Sequence, residues 1–278
     1  MTSGWGPEER LAAVSVTFDH LGEAAEMQIG RIPLDAPVGD HHSVTQELPR
    51  LLDMLAAHGQ RTTFFIEAWN LDVYPEAVRS IIAAGHEVGW HGWLHEPWYQ
   101  SSSAEIAESV QKSLDAFDRF GIRPRGARPP AGLQGDHSLE LLSEAGFDYV
   151  SLAGTSFGSA HGLALLPYPW HAVDGAYYVP GFTRLRVPPG DDPVGPDEML
   201  DAYQDLVDEV VDRRGCLAFV FHVPWQDSPE KVAAISTLLD RLSADERVWL
   251  ASGDAIADAV HENQERFPIG HRDEVPAW

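Results

Sequence analysis

The sequence holds one cysteine and four methionines in 278 residues, and its 19 basic residues are outnumbered by 43 acidic ones. The lone Cys216 excludes an intrachain disulfide. It opens the strand-like run Cys216-Leu217-Ala218-Phe219-Val220-Phe221, where a thiol is more simply a small buried apolar group than a nucleophile. A net charge of −24 repels phosphate backbones and anionic surfaces, so neither nucleic acid nor a membrane is expected as partner. No apolar run approaches the roughly 20 residues of a membrane span. The opening residues, Met1 to Arg10, lack the basic start and the apolar stretch of about 7–15 residues found in a secretory signal. These absences lead to the expectation of a cytoplasmic protein. The acidity itself is read as a solubility or salt-adaptation feature rather than as steering of a cationic substrate.

What is present is enough apolar material for a sizeable core, 44% of residues, with no internal repeat. The length suits an α/β barrel. One domain over residues 1–278 is expected, with its core at about 13–262 and an irregular tail. Strand-like runs end directly on reactive residues. Ala13 to Phe18 ends on Asp19-His20, His86 to Trp90 on His91, Gly126-Ala127 on Arg128, and Leu217 to Phe221 on His222. Between them lie helical patterns over Glu47–His58, Tyr74–Ala84, Ser103–Phe120, Ser138–Ala145, Asp197–Val211, Pro229–Leu242 and Asp254–Glu265. Leu21–Ser43 and Gly154–His161 read as loops, and Asp40-His41-His42 reads as solvated loop. Ser252 and Asp254 read as a helix cap and a first-turn charge.

Strands alternating with helices argue for a mostly parallel sheet, whose functional groups gather where strands end. Closing it into a barrel would bring Asp19, His20, His91, His95, Arg128 and His222 to one mouth. His91 and His95, four apart, can grip one metal ion, or can be ordinary loop histidines among the 13 in the chain. Pro167-Tyr168-Pro169-Trp170-His171-Ala172-Val173-Asp174 can wall a pocket.

In this order the motifs resemble those of the NodB-type polysaccharide deacetylases (carbohydrate esterase family 4-like), from about Val14 to about Ala259. Thr17-Phe18-Asp19-His20 resembles the family's Thr-Phe-Asp-Asp opening. His91-Gly92-Trp93-Leu94-His95 resembles its His-x-x-x-His, and Arg128-Pro129-Pro130-Ala131-Gly132 its Arg-x-Pro-x-Gly. Phe219-Val220-Phe221-His222 is similar to its late apolar-x-His, and Pro169-Trp170 through Asp174 to a segment of the allantoinase-like and cyclic-imide hydrolase branch. The resemblance implies a distorted (β/α)7 barrel, hydrolysis of a non-peptide C–N bond, and one divalent metal, with Zn2+ expected and Co2+ an alternative. It implies Asp19 as base, Arg128 as its orienter, His222 as acid, and His91 and His95 as metal ligands. His20 replaces the family's acidic ligand and is expected to complete a His₃ set. Ser151-Leu152-Ala153-Gly154 stands where the family has Asp-Trp, which makes Asp174 the substitute partner of His222. Trp93, Pro130, Trp170 and Asp174 are expected at the substrate.

The function expected is N-deacylation of an intracellular small molecule or sugar conjugate. A cell-wall polysaccharide N-deacetylase is the alternative within the same chemistry, and a metal-free binding protein that has kept the fold is the alternative of another class. A homo-oligomer is compatible with the sequence.

Overall fold

The computed structural model describes residues 4–263, 265 and 267. Its organising strand is β1 (Ala12–Asp19), eight residues buried along their whole length. The strands β2 (Thr63–Ile66), β3 (Glu87–Trp90), β4 (Gly126–Ala127), β5 (Tyr149–Ala153), β6 (Gly158–Ala160), β7 (Leu163–Tyr168), β8 (Cys216–His222) and β9 (Val248–Leu250) complete one sheet. Its order is β6-β7-β5-β4-β3-β2-β1-β8, with β9 pairing the start of β1. The pairings are parallel except between β6 and β7. The sheet curls into a distorted barrel. Its open seam is stitched where Val173 bridges Val220 and Cys216 Sγ lies 3.8 Å from the Leu165 carbonyl. Cys216 is buried, as its place in an apolar run requires.

The helices are α1 (Ala24–Gln28), α2 (Leu48–His58), α3 (Asn70–Val73), α4 (Pro75–Ala83), α5 (Ser103–Phe120), α6 (Ser138–Glu144), α7 (Gly175–Tyr178), α8 (Pro196–Arg213), α9 (Pro229–Ala244) and α10 (Gly253–Glu262). The sequence locates α5 to the residue because both of its ends carry explicit signals. Ser102 and Glu105 form a reciprocal capping box, and Gly121 closes the helix with left-handed backbone. α10 stops at Glu262, short of the expected Glu265; of the tail Arg266–Trp278, all but Phe267 lies outside the described residues.

Three segments differ from the sequence expectation. Gly154–His161 is not all loop, since β6 lies within it, and Leu163–Tyr168 is a buried strand despite Pro167. β6 pairs only Leu163 to Leu165, so the proline falls beyond its reach and removes no bond of that ladder. Leu21–Ser43 contains α1 and is tied down by buried Glu23, whose carboxylate accepts from the Tyr74 hydroxyl at 2.7 and 2.8 Å and from the Gly39 amide at 3.1 Å. α2 is preceded by a π-helical turn, Ser43–Glu47. Ser252 caps no amide of α10. Together with Asp254 it holds Arg61, whose Nη2 donates to Asp254 Oδ2 at 2.7 Å.

Candidate active site

Parallel register places the reactive groups side by side. Asp19 on β1 pairs with His222 on β8 and with Phe65 on β2. The amide of His91 donates to the Ile66 carbonyl and that of Arg128 to the Trp90 carbonyl, both at 2.8 Å. Consecutive strand ends therefore deliver Asp19-His20, His91 and Arg128 at one level, and His95 returns on the loop after β3. His20 and His95 adopt left-handed backbone, φ 66° and 73°. For a residue with a side chain this is a strained conformation that costs of order 1–3 kcal/mol, and such strain concentrates at functional sites.

The Arg128 guanidinium is fully buried. Its Nη1 donates to Asp19 Oδ1 at 2.5 Å, its Nη2 to Thr17 Oγ1 and Ser151 Oγ at 2.9 Å, and its Nε to Ser151 Oγ at 3.2 Å. Phe65 and Tyr168 cover its faces, at 4.2 and 5.0 Å from the ring centroids. Ser151, at the position where the sequence departs from the family pattern, thus orients the arginine. With Oδ1 engaged, Asp19 presents Oδ2, which lies 3.8 Å from His91 Nε2.

His222 is held from behind by Asp174, which is completely buried. Its backbone amide donates to Asp174 Oδ2 at 2.8 Å and its Nδ1 to Oδ1 at 2.7 Å, while Gln226 Nε2 donates to Oδ2 at 2.6 Å. The carboxylate fixes the tautomer with hydrogen on Nδ1 and leaves Nε2 for chemistry. Trp225 lies against the imidazole, 3.9 Å between centroids, where a Cβ on Gly175 would come within 2.6 Å of the indole.

The ring nitrogens of His20, His91 and His95 lie within 4.8 Å of one another. His91 Nδ1 donates to the Arg128 carbonyl at 2.7 Å, and His20 Nδ1 to the buried Glu67 carboxylate, so each keeps Nε2 available. Burial, reinforced by neighbouring histidines, lowers the pKa of His91 and His95 well below the ordinary value, which favours neutral imidazoles. Burial acts in the same direction on His20, but Glu67 overrides it and the net shift is upward. A cation competes there with a proton. Three converging imidazoles, two with a fixed tautomer, fit a divalent ion such as zinc. Glu67 was not anticipated from the sequence, although it follows β2 directly, as the other site residues follow their own strands. Asn70 Nδ2 and the Leu21 amide also donate to its carboxylate, at 3.1 and 3.4 Å.

These groups open on one cavity of about 510 Å³, lined also by His41, His42, Tyr168, Trp170, Phe182 and Trp225. His41 and His42, read from the sequence as solvated loop, are part of its wall. Of the expected substrate residues, Trp170 lines it. Asp174 lies beneath His222 rather than at the surface, and Pro130 is buried at the start of a tight turn that presents Ala131 instead. Trp93 faces a separate hollow of about 300 Å³, with Lys112 Nζ 3.9 Å over its ring. The loop after β3 turns away there, which the His-x-x-x-His spacing alone does not reveal. A cavity of about 340 Å³ along Gly132–Glu140 contains none of the six reactive groups.

Residues 12–150 match the sequence model of the polysaccharide deacetylase family. The chain belongs to that family. Among its relatives, the peptidoglycan-N-acetylglucosamine deacetylase PgdA of Listeria monocytogenes is 35% identical over 103 residues, 37% of this chain and 22% of that protein. The chain thus spans about a fifth of that relative's length. A Mycobacterium smegmatis protein assigned to the polysaccharide deacetylases has a crystal structure that superposes with a TM-score of 0.84 at 24% identity, covering 100% of this chain and 99% of that one. Puue allantoinase superposes at 0.74 with 19% identity, covering 93% and 92%. At these identities the structures speak for the fold alone.

Proposed function

We propose that this chain is a metal-dependent hydrolase of a non-peptide amide bond, releasing an acyl group from a compact molecule or a sugar conjugate. The observation that carries the reading is the presence of two proton-transfer groups, Asp19 held by Arg128 and His222 held by Asp174, beside three converging histidines. A divalent ion held by His20, His91 and His95 would supply Lewis acidity, lowering the pKa of the attacking water to about 7 and countering charge on the carbonyl oxygen. Asp19 Oδ2 takes the proton that water gives up as its oxygen bonds to the carbonyl carbon. Arg128 keeps Asp19 ionised and aimed, because its fork engages Oδ1 and leaves Oδ2 toward the histidines. His222 Nε2 donates a proton to the nitrogen as the C–N bond breaks, since amines leave poorly as anions. Products are a carboxylic acid and an amine.

Compact substrates are favoured because residues of the 21–42 and 179–185 segments line the cavity, and much of the lining is apolar: Ile29, Val179, Phe182, Leu185 and Trp225. The polymer reading draws on PgdA, which is named for peptidoglycan. A binding protein without catalysis would need neither a base with its orienter nor an acid with its partner. The deciding assay is amine release from formyl amides, N-acetylated monosaccharides and acetylated chitin oligomers, and ring opening of cyclic imides to the amide-acid, with and without chelator. Chelator-sensitive turnover of the small amides is expected. Turnover of the oligomers alone would transfer the function to polymer, and no turnover of any class by metal-loaded protein would leave the binding protein as the correct reading.

A further inference from the structure

Three histidines of the cavity are built alike. His20 presents Nδ1 to buried Glu67, His222 presents Nδ1 to buried Asp174, and His42 presents Nδ1 to Glu47 at 3.0 Å. The Glu47 side chain is only 4% exposed, and among the described residues His42 is its hydrogen-bonding side-chain partner. Burying a carboxylate is costly unless it is paired, so this arrangement holds one imidazole in one orientation against a standing penalty. The backbone is shaped for the purpose. His42 and Glu47 are five residues apart, and the turn between them, Ser43–Glu47, is π-helical, whose i to i+5 repeat brings them onto one side; an α-helical turn would separate them. The same turn packs against Val223–Trp225, the segment that follows His222.

The neighbouring His41 differs. Its Nδ1 meets Ser43 Oγ at 2.8 Å and its Nε2 meets Glu26 at 3.4 Å, so both nitrogens are engaged. His42 has only Nδ1 engaged among the described residues, its side chain is 47% exposed, and its ring lines the cavity. We propose that His42 is a substrate-binding residue whose Nε2 accepts a hydrogen bond from an N–H or O–H of the substrate, with Glu47 as its positioning residue. The proposal rests on the amide-hydrolase reading above and refines it. The substrate would be an amide with an apolar body, lying along Phe182, Leu185 and Trp225, and one hydrogen-bond donor away from the scissile bond. Glu47 accepts from Nδ1–H, so the neutral ring offers a lone pair on Nε2 and selects for a donor.

The test uses metal-loaded protein and two probes that differ in one donor, 4-hydroxyacetanilide and 4-methoxyacetanilide. Dissociation constants and imidazole ¹⁵N shifts are followed by NMR, and hydrolysis is measured separately. Wild-type protein is expected to bind the hydroxyl probe about tenfold more tightly, with the His42 resonances shifting, and His42→Phe to bind both probes equally. Glu47→Leu should shrink the preference and mix the His42 tautomers. A hydroxyl preference that survives His42→Phe, or His42 resonances unmoved by the hydroxyl probe, overturns the proposal whether or not either probe is cleaved. Binding with the expected preference but no hydrolysis of any amide would instead overturn the amide-hydrolase reading and leave the binding role standing.

Discussion

Arg128→Met tests whether Asp19 is held by charge or by packing alone. Both groups are shielded from water, Arg128 fully and Asp19 to within 3%. The substitution keeps an unbranched side chain in the slot between Phe65 and Tyr168 but leaves the Asp19 carboxylate without a counter-charge. Removing one partner of a buried pair costs about 3–5 kcal/mol, chiefly the penalty of the stranded charge. The lost bonds to Thr17 and Ser151 add less, since Thr17 Oγ1 still donates to the Phe219 carbonyl at 2.8 Å. Asp19→Asn added to Arg128→Met removes the stranded charge, so the double variant should be more stable than Arg128→Met by about 2 kcal/mol, with a coupling energy toward the upper end of the usual range of about 0.5–3 kcal/mol. Urea unfolding at neutral pH with chelator present, so that metal binding favours no arm, gives all four corners of the cycle. Strict additivity would refute the electrostatic account of Arg128 and reduce it to a packing residue.

Glu67→Gln should keep the fold but weaken metal binding about 10–100-fold, because His20 loses the carboxylate that fixes its orientation and tautomer and strengthens Nε2 as a donor to the metal; a metal competition titration with a chromogenic chelator reads this directly. At the opposite end of the barrel, burial and the Asp254 carboxylate push Glu87 from 4.5 up to about 7. The folded state therefore binds a proton that the unfolded state releases, and stability falls as pH rises from about 4.5 to about 7, by about 3 kcal/mol in all. Glu87→Gln should flatten that slope in urea melts taken across this interval, and an unchanged slope would mean that Glu87 is ionised throughout. Asp174→Asn should retain metal yet lower kcat about 10²-fold or more, since the tautomer and aim of His222 are lost, and steady-state kinetics beside elemental analysis separates the two effects.

The clustering of Asp19, His91, Arg128 and His222 was legible because each of their strands announces its own end. β1, β3 and β8 are short, apolar and β-rich, and each passes directly into Asp19, His91 or His222. The turn chemistry of Pro129, Pro130 and Gly132 marked Arg128 in the same way. β7 was not legible because Pro167 argues against a strand until the short reach of β6 is known. Glu67, Glu47 and Ser151 were missed for a different reason. Each acts through a partner that only folding supplies: His20 lies 47 positions from Glu67, and Arg128 23 from Ser151. Glu47 is close to His42 in sequence, yet the pairing depends on a π-helical turn that no residue pattern in the segment announces. The His41-His42 pair was read as solvated because its loop, rich in Pro and Gly, shows no periodicity; its order comes from buried anchors such as Glu23 and Tyr74.

The central claim is that Asp19 moves a proton in amide hydrolysis at a metal site it does not itself assemble. The most direct test is to measure metal content and amine release on the same preparations of wild type, His91→Ala and Asp19→Asn. Wild type should carry one divalent ion per chain and release amine, His91→Ala should lose both, and Asp19→Asn should keep the ion while kcat falls about 10²–10⁴-fold. Full turnover by Asp19→Asn, or by wild type stripped of metal, would contradict the account.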